Sequence, residues 1–207
     1  MSTPDLSHYW SALHPATGTD LVNSAYTSLL TAYQSPDRHY HNWSHIEQLV
    51  TLYEAYAHQI ADPDTVLFSI FFHDIIYNTR QSDNEEKSAE AAVAHAQKIG
   101  YPVIKTEKIR DFIIATKTHI NTHQDPDLDY FLDFDLQILG TAPDTYQAYT
   151  RQIRQEYHIY PDELYKPGRK KVLQHFLEMP AIYVTPAFRE LYETTARQNI
   201  RAELNTL

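Results

Sequence analysis

Residues 67–77 read LFSIFFHDIIY, an apolar run interrupted by the pair His73-Asp74. Asp62-Pro63 stands just before it, the order in which an N-cap and a first-turn proline open a helix. The stretch is therefore expected as a buried helix running from Pro63 through the His-Asp pair to about Tyr77. An imidazole and a carboxylate side by side in such a run are costly unless their charge is compensated. A bound metal does this well, because neutral imidazole and carboxylate are its ordinary ligands. His45 lies 28 residues before His73, and Asp135 lies 61 residues after Asp74. The ordered set carries more information than the dipeptide.

Outward from this run the pattern stays helical. Leu21, Ala25, Leu29 and Ala32 form one stripe of a helix over 20–33, which stops at Ser35-Pro36-Asp37. Ser44-x-x-Glu47 reads as a capping box opening a helix striped by Ile46, Leu49, Val50, Tyr53 and Ile60. Asp83-x-x-Glu86 reads as a second box, for a helix ending at Gly100. Further helices are expected over 106–118, 126–139, 144–158, 169–179 and 186–204. No strand-length alternation, repeat or linker appears. The expectation is an all-α single domain over 1–207, with a motif core at about 38–140 and a helical C-terminal extension at about 141–207.

The bulk numbers set limits on function. The 207 residues suffice for a sizeable core, and only four are glycine. A formal charge of −10 with no long basic run argues against duplex nucleic acid as a partner, though not against small anions, since a bound cation reverses the local field. The absence of cysteine excludes disulfides, thiol catalysis and Cys-type metal sites. No segment reaches the roughly 18 apolar residues of a membrane span, and the first residues lack a leader pattern, so a cytoplasmic protein without membrane attachment is expected.

Helical geometry separates the two aspartates of YFLDFDLQILG, residues 130–140. Leu128, Phe131, Leu132, Leu136 and Leu139 define one face, with Asp135 in its middle and Asp133 roughly 160° away. Asp135 is expected buried and Asp133 solvated. His41 precedes His45 by four residues. With one imidazole on a metal, the other is suited to exchange a proton with a reacting group at neutral pH.

His45, His73-Asp74 and Asp135, all on helices, resemble the HD superfamily of metal-dependent phosphohydrolases. The segments YHNWSHI, FHDIIYN, NEEKSA, ATKTH, DFDLQILG and GRKKVLQHFL look like an uncharacterised bacterial branch of it. Together they cover about residues 38–176. The phrase Tyr40-His41-Asn42 followed by His45 is also similar to the opening motif of cyclic-nucleotide phosphodiesterases. The resemblance implies an HD-domain-like helical bundle, with His45, His73, Asp74 and Asp135 as metal ligands and His41 as general acid. The chain departs from the superfamily where two further histidines would hold a second metal. Glu85 stands where the first is expected, as a ligand or as the group that holds and deprotonates the attacking water. His119 is the candidate for the second.

For substrate phosphate, Lys117 lies near His119. Arg169, Lys170 and Lys171 follow Pro167-Gly168 at an expected helix start, where backbone N–H groups favour anions but basic side chains are mismatched to the dipole and suggest an acidic partner. Arg38 and Asn42 are candidates by their place in and beside the YHN motif. The tyrosines recur at helical spacing, as Tyr146, Tyr149, Ile153 and Tyr157 do, which reads as core or rim. The expected activity is hydrolysis of a small phosphorylated molecule, a nucleotide among the candidates, using one or two divalent ions drawn from Mn, Fe, Zn, Co, Ni or Mg. The rival readings are an HD-type di-iron oxygenase, with Glu85 in place of a histidine, and a non-catalytic, metal-stabilised binding module. The last helix, with Tyr192, Arg197 and Asn199, is a candidate either to close the site or to form a homodimer contact.

Overall fold

The computed structural model describes residues 6–15 and 17–207, and among these it contains ten α-helices and no strand. They are α1 (Leu6–Ala12), α2 (Thr19–Tyr33), α3 (Trp43–Tyr56), α4 (Pro63–Phe72), α5 (Asn84–Lys98), α6 (Val103–Ala115), α7 (Pro126–Leu136), α8 (Pro143–Glu156), α9 (Asp162–Glu178) and α10 (Pro186–Leu204). Two 3-10 turns, Ala57–Gln59 and Gln137–Gly140, follow α3 and α7. The all-α expectation holds, and a helical bundle is consistent with it. No helix among the described residues is long and apolar enough to cross a membrane. The chain divides into two compact units, one ending at Phe131 and one running from Leu132 to Leu207. The division falls inside α7, which is itself continuous.

In the first unit α4 is buried on every side from Thr65 to Phe72 and packs against α3, α5 and α6. A helix apolar all round is stable only in such a place. Its two hydroxyls are satisfied locally: Ser69 donates to the Thr65 carbonyl at 2.8 Å, and Thr65 donates to the Asp62 carboxylate at 2.8 Å. Asp62 is the N-cap, with Pro63 in the first turn, as expected. The helix ends at Phe72, however, and not near Tyr77. Side chains take the backbone groups that a longer helix would use. The Tyr33 hydroxyl donates to the Phe71 carbonyl at 3.0 Å and accepts from the Asp74 N–H at 3.3 Å. Arg38 donates to the carbonyls of Asp74 and Ile75, and the Ser88 hydroxyl accepts from the Ile76 N–H at 3.1 Å. His73 and Asp74 thus sit in a braced turn.

The other helix starts also differ. Asn42, not Ser44, caps α3: its side-chain oxygen accepts from the Ser44 N–H at 2.9 Å and from the Ser44 hydroxyl at 2.6 Å. Asp83 makes no side-chain cap to α5 and pairs with Lys87 at 3.0 Å instead. Gly100 closes α5 with φ 69°, the left-handed cap its position suggested. At the start of α7 the buried Asp127 carboxylate accepts the N–H groups of Ala61 and Asp62 at 2.8 and 2.9 Å, and Lys108 binds it at 3.2 Å. This ties α7 to the entry of α4.

In the second unit, α9 begins at Asp162 and continues through Pro167 and Gly168, so Arg169 is not at a helix start. Tyr165, Arg169, Leu173 and Phe176 are buried along one face, and their packing carries the helix past a proline that local propensity would place at its beginning. Arg169 meets Glu203 through two bonds of 2.7 and 3.1 Å, with the hydroxyls of Tyr149 and Tyr146 completing a buried network. The expected acidic partner exists, and it is internal. Tyr146, Tyr149 and Ile153 are core residues, as their spacing indicated. Gly140 lies against α10, where an added Cβ would come within 2.5 Å of the Tyr192 Cβ.

Candidate metal centre

Three helices deliver the central side chains. His45 is in the first turn of α3, His73 follows the last residue of α4, and Asp135 lies near the end of α7. Each offers one ligand atom, and these atoms all lie within 4.8 Å of one another. The α7 helix sets this placement. Phe131 meets the His73 ring edge-on at 5.9 Å, and Asp135 is one turn further along the same helix face. Both histidines are buried, at 2% and 1% exposure.

The protons can be assigned from the neighbours. His73 Nδ1 is 3.0 Å from the Ile70 carbonyl, which only accepts, so Nδ1 carries hydrogen and neutral His73 presents a lone pair at Nε2. That Nε2 lies 3.2 Å from His45 Nε2 and 3.2 Å from an Asp74 carboxylate oxygen. A lone pair facing a carboxylate at this distance is reconciled only by a cation, a proton or a metal ion, and Asp135 adds a further donor. Ligands about 2.0–2.1 Å from a common ion in tetrahedral array stand roughly 3.4 Å apart, so the spacing fits a metal. His45, His73 and Asp135 therefore constitute a possible metal-binding site, with Asp74 adjoining it.

The remaining nominated residues are placed as follows. His41 stacks on Tyr77, with centroids 4.4 Å apart and planes at 29°, and lies edge-on to His45 at 6.0 Å. It borders the centre. Glu85, in the first turn of α5, is half-buried. Desolvation pushes its carboxyl above the ordinary value, Asp74 and Glu86 add to this, and a backbone hydrogen bond and Lys117 oppose it. Glu85 is not one of the three clustered residues. His119 is not one of them either. It lies beyond the end of α6 in the left-handed region, φ 53°, its N–H bonded to the Ala115 carbonyl at 2.8 Å.

The expected phosphate contacts fare differently. Lys117 donates to Glu86 and to the Ser82 carbonyl, and its ammonium is 3.9 Å from Glu85, so it ties the end of α6 to the start of α5. Arg38 is buried, and its guanidinium reaches the carbonyls of His41, Asp74 and Ile75 while lying over the rings of Tyr33 and Tyr77. It braces the centre and is not presented to a ligand. Asn42 spends its amide on the helix cap and the His39 carbonyl, and Arg169 spends its charge on Glu203. The two aspartates of α7 also need correction. Asp133 is 1% exposed, its carboxylate accepting the N–H groups of Val184 and Thr185 at 2.8 Å each, whereas Asp135 is only half-buried. The helix is enclosed around most of its circumference at this point, so one apolar stripe does not identify the buried acid.

Sequence reasoning did not nominate Tyr77, Tyr33 or Asp127. Tyr77 is the last residue of the opening run, and Tyr33 closes the first amphipathic stripe. The Asp125-Pro126-Asp127 entry to α7 carried the only local signal, an acid in a helix's first turn. Compared with models of known protein families, with curated proteins and with solved structures, the chain matches none.

Proposed function

We propose that the chain is a metal-dependent phosphohydrolase acting on a small phosphorylated molecule, with a nucleotide as one candidate class. The observation that carries this reading is the convergence of His45, His73 and Asp135, with Asp74 against His73 Nε2. In it His45, His73, Asp74 and Asp135 would hold a divalent ion. Nitrogen and carboxylate donors of this kind suit Mn, Fe, Zn, Co or Ni, and carboxylates also accept Mg. When bound, such an ion acidifies a water and neutralises charge on phosphoryl oxygens.

The chain's own residues supply the rest. The Ile70 carbonyl fixes the His73 tautomer, so Nε2 is available as a donor. Glu85, its proton affinity raised by burial, accepts a proton from the attacking water. His41, its ring held by Tyr77, gives a proton to the leaving oxygen. Arg38, Lys117 and Arg169 are committed to braces within the protein, so charge compensation for a phosphate would come mainly from a bound ion.

Elemental analysis of purified wild type and of Asp135→Ala is the test, followed by a panel of phosphomonoesters and diesters with the metal found. Metal in the wild type, lost in the variant, together with turnover, supports the reading. Its absence after incubation with Mn, Fe, Zn or Mg salts removes the ligand assignment. Metal without turnover, but with phosphorylated ligands bound, supports the binding module. Dioxygen consumption with bound iron supports the oxygenase.

A further inference from the structure

A second histidine pair lies away from the metal centre. His14, two residues beyond α1, and His95, on α5, meet Nε2 to Nε2 at 2.8 Å. His14 is buried, and its Nδ1 is 2.6 Å from the Trp10 carbonyl. The carbonyl only accepts, so Nδ1 is protonated, and in neutral His14 Nε2 must accept from His95. One proton is shared across the contact. A second cannot be accommodated, because two N–H groups would then face each other.

The pair fastens α1. Trp10 stacks on the His95 ring at 5.2 Å, meets Phe71 and Phe72 at 5.4 and 6.0 Å, and donates its indole N–H to the Val22 carbonyl at 2.9 Å. Phe68 and Phe72 of α4 also lie against the His95 ring, at 5.9 and 5.5 Å. We infer that His14 and His95 form a proton-operated latch, which holds α1 against α4 and α5 while they share one proton and releases it when both are charged.

The surroundings favour the uncharged state. Among the described residues the charges that act on His95 are His14 and the Lys98 ammonium, both positive when protonated. α4 presents Phe68 and Phe72 to it, α1 presents Trp10, and α2 presents Val22 and Tyr26 to Trp10. Among the described residues no group of α4 or α6 adds a compensating charge. Burial lowers both histidines, and His95 falls from 6.5 to about 4. The docked state therefore binds fewer protons than the released one. Docking is fully favoured above pH 6.5 and weakens as the pH falls from there towards about 4. Trp10 covers Phe71 and Phe72, the two residues before His73, so opening the latch uncovers the end of α4 that adjoins the His73-Asp74 turn.

The Trp10 indole N–H reports the latch directly, and its NMR signal can be told from that of Trp43 by Trp10→Phe. In the full chain titrated from pH 8 to pH 4, the Trp10 signal should leave its bonded position with a midpoint inside the window above. The Trp43 signal and far-ultraviolet circular dichroism of the remaining helices should stay unchanged. His95→Phe keeps the aromatic stack without a titrating group and should abolish the transition, and His95→Gln, which keeps a donor, should do the same. The proposal is overturned if the transition persists unchanged in either variant, if Trp10 stays bonded down to pH 4 in the wild type, or if its loss coincides with global unfolding.

Discussion

Asp133 and Asp135 stand two residues apart on α7 and do different work: Asp133 caps the entry to α10 through the N–H groups of Val184 and Thr185, and Asp135 joins His45 and His73. Removing a buried acceptor leaves two amides unsatisfied at roughly 1–3 kcal/mol each. Asp133→Ala should therefore lower the unfolding free energy by about that amount or more, with a metal content equal to that of the wild type. Asp135→Ala should lose the metal with little change in apo-protein stability. Denaturant melts and elemental analysis of both variants separate the two roles, and equal metal loss would contradict them.

The same pair marks where the sequence was readable and where it was not. Helix type and order were visible because apolar residues recur at helical spacing, and Asp62-Pro63 and Gly100 mark ends by local chemistry alone. His73 stood out because a buried imidazole-carboxylate pair demands compensation, and His45 and Asp135 were nominated from the ordered set and the resemblance, since the face argument for a buried Asp135 did not hold. The roles of Arg38, Asn42, Lys117 and Arg169 were not, since a cation or amide looks the same in sequence whether it meets a ligand or a distant carbonyl. Nor was the end of α4, which depends on Tyr33, Arg38 and Ser88 arriving from elsewhere in the chain.

Arg38→Lys should show how much the metal centre depends on its brace. The guanidinium reaches three carbonyls and lies 5.0 and 5.5 Å from the centroids of Tyr33 and Tyr77. An ammonium cannot reproduce that planar fork. Loss of an outer partner of this kind is expected to weaken metal affinity by about 10–100-fold. Chelator competition measures it, and unchanged affinity would show that the His73-Asp74 turn holds without the clamp.

His41→Ala should leave the metal content unchanged and reduce turnover by about 10²–10⁴-fold, the range for losing a general acid. Tyr77→Leu removes the ring stacked on His41 and should give a smaller loss in kcat at unchanged metal content. A substrate with a leaving group that needs no proton should recover most of the His41→Ala deficit. If the deficit is the same for every leaving group, His41 is not the acid.

Arg169 offers the sharpest contrast between a binding role and a structural one. Both it and Glu203 are 9% exposed, and they are joined by two short bonds among the hydroxyls of Tyr146 and Tyr149. Breaking a buried ion pair from one side leaves an uncompensated charge and costs about 3–5 kcal/mol, whereas replacing both partners by apolar groups is often nearly neutral. Arg169→Met should thus be strongly destabilised in urea, and adding Glu203→Leu should recover much of the loss, less a contribution from the Tyr146 hydroxyl that loses its acceptor. Substrate KM in the double variant should match the wild type. A raised KM in that recovered protein would instead return Arg169 to the phosphate-binding role its sequence neighbourhood suggested.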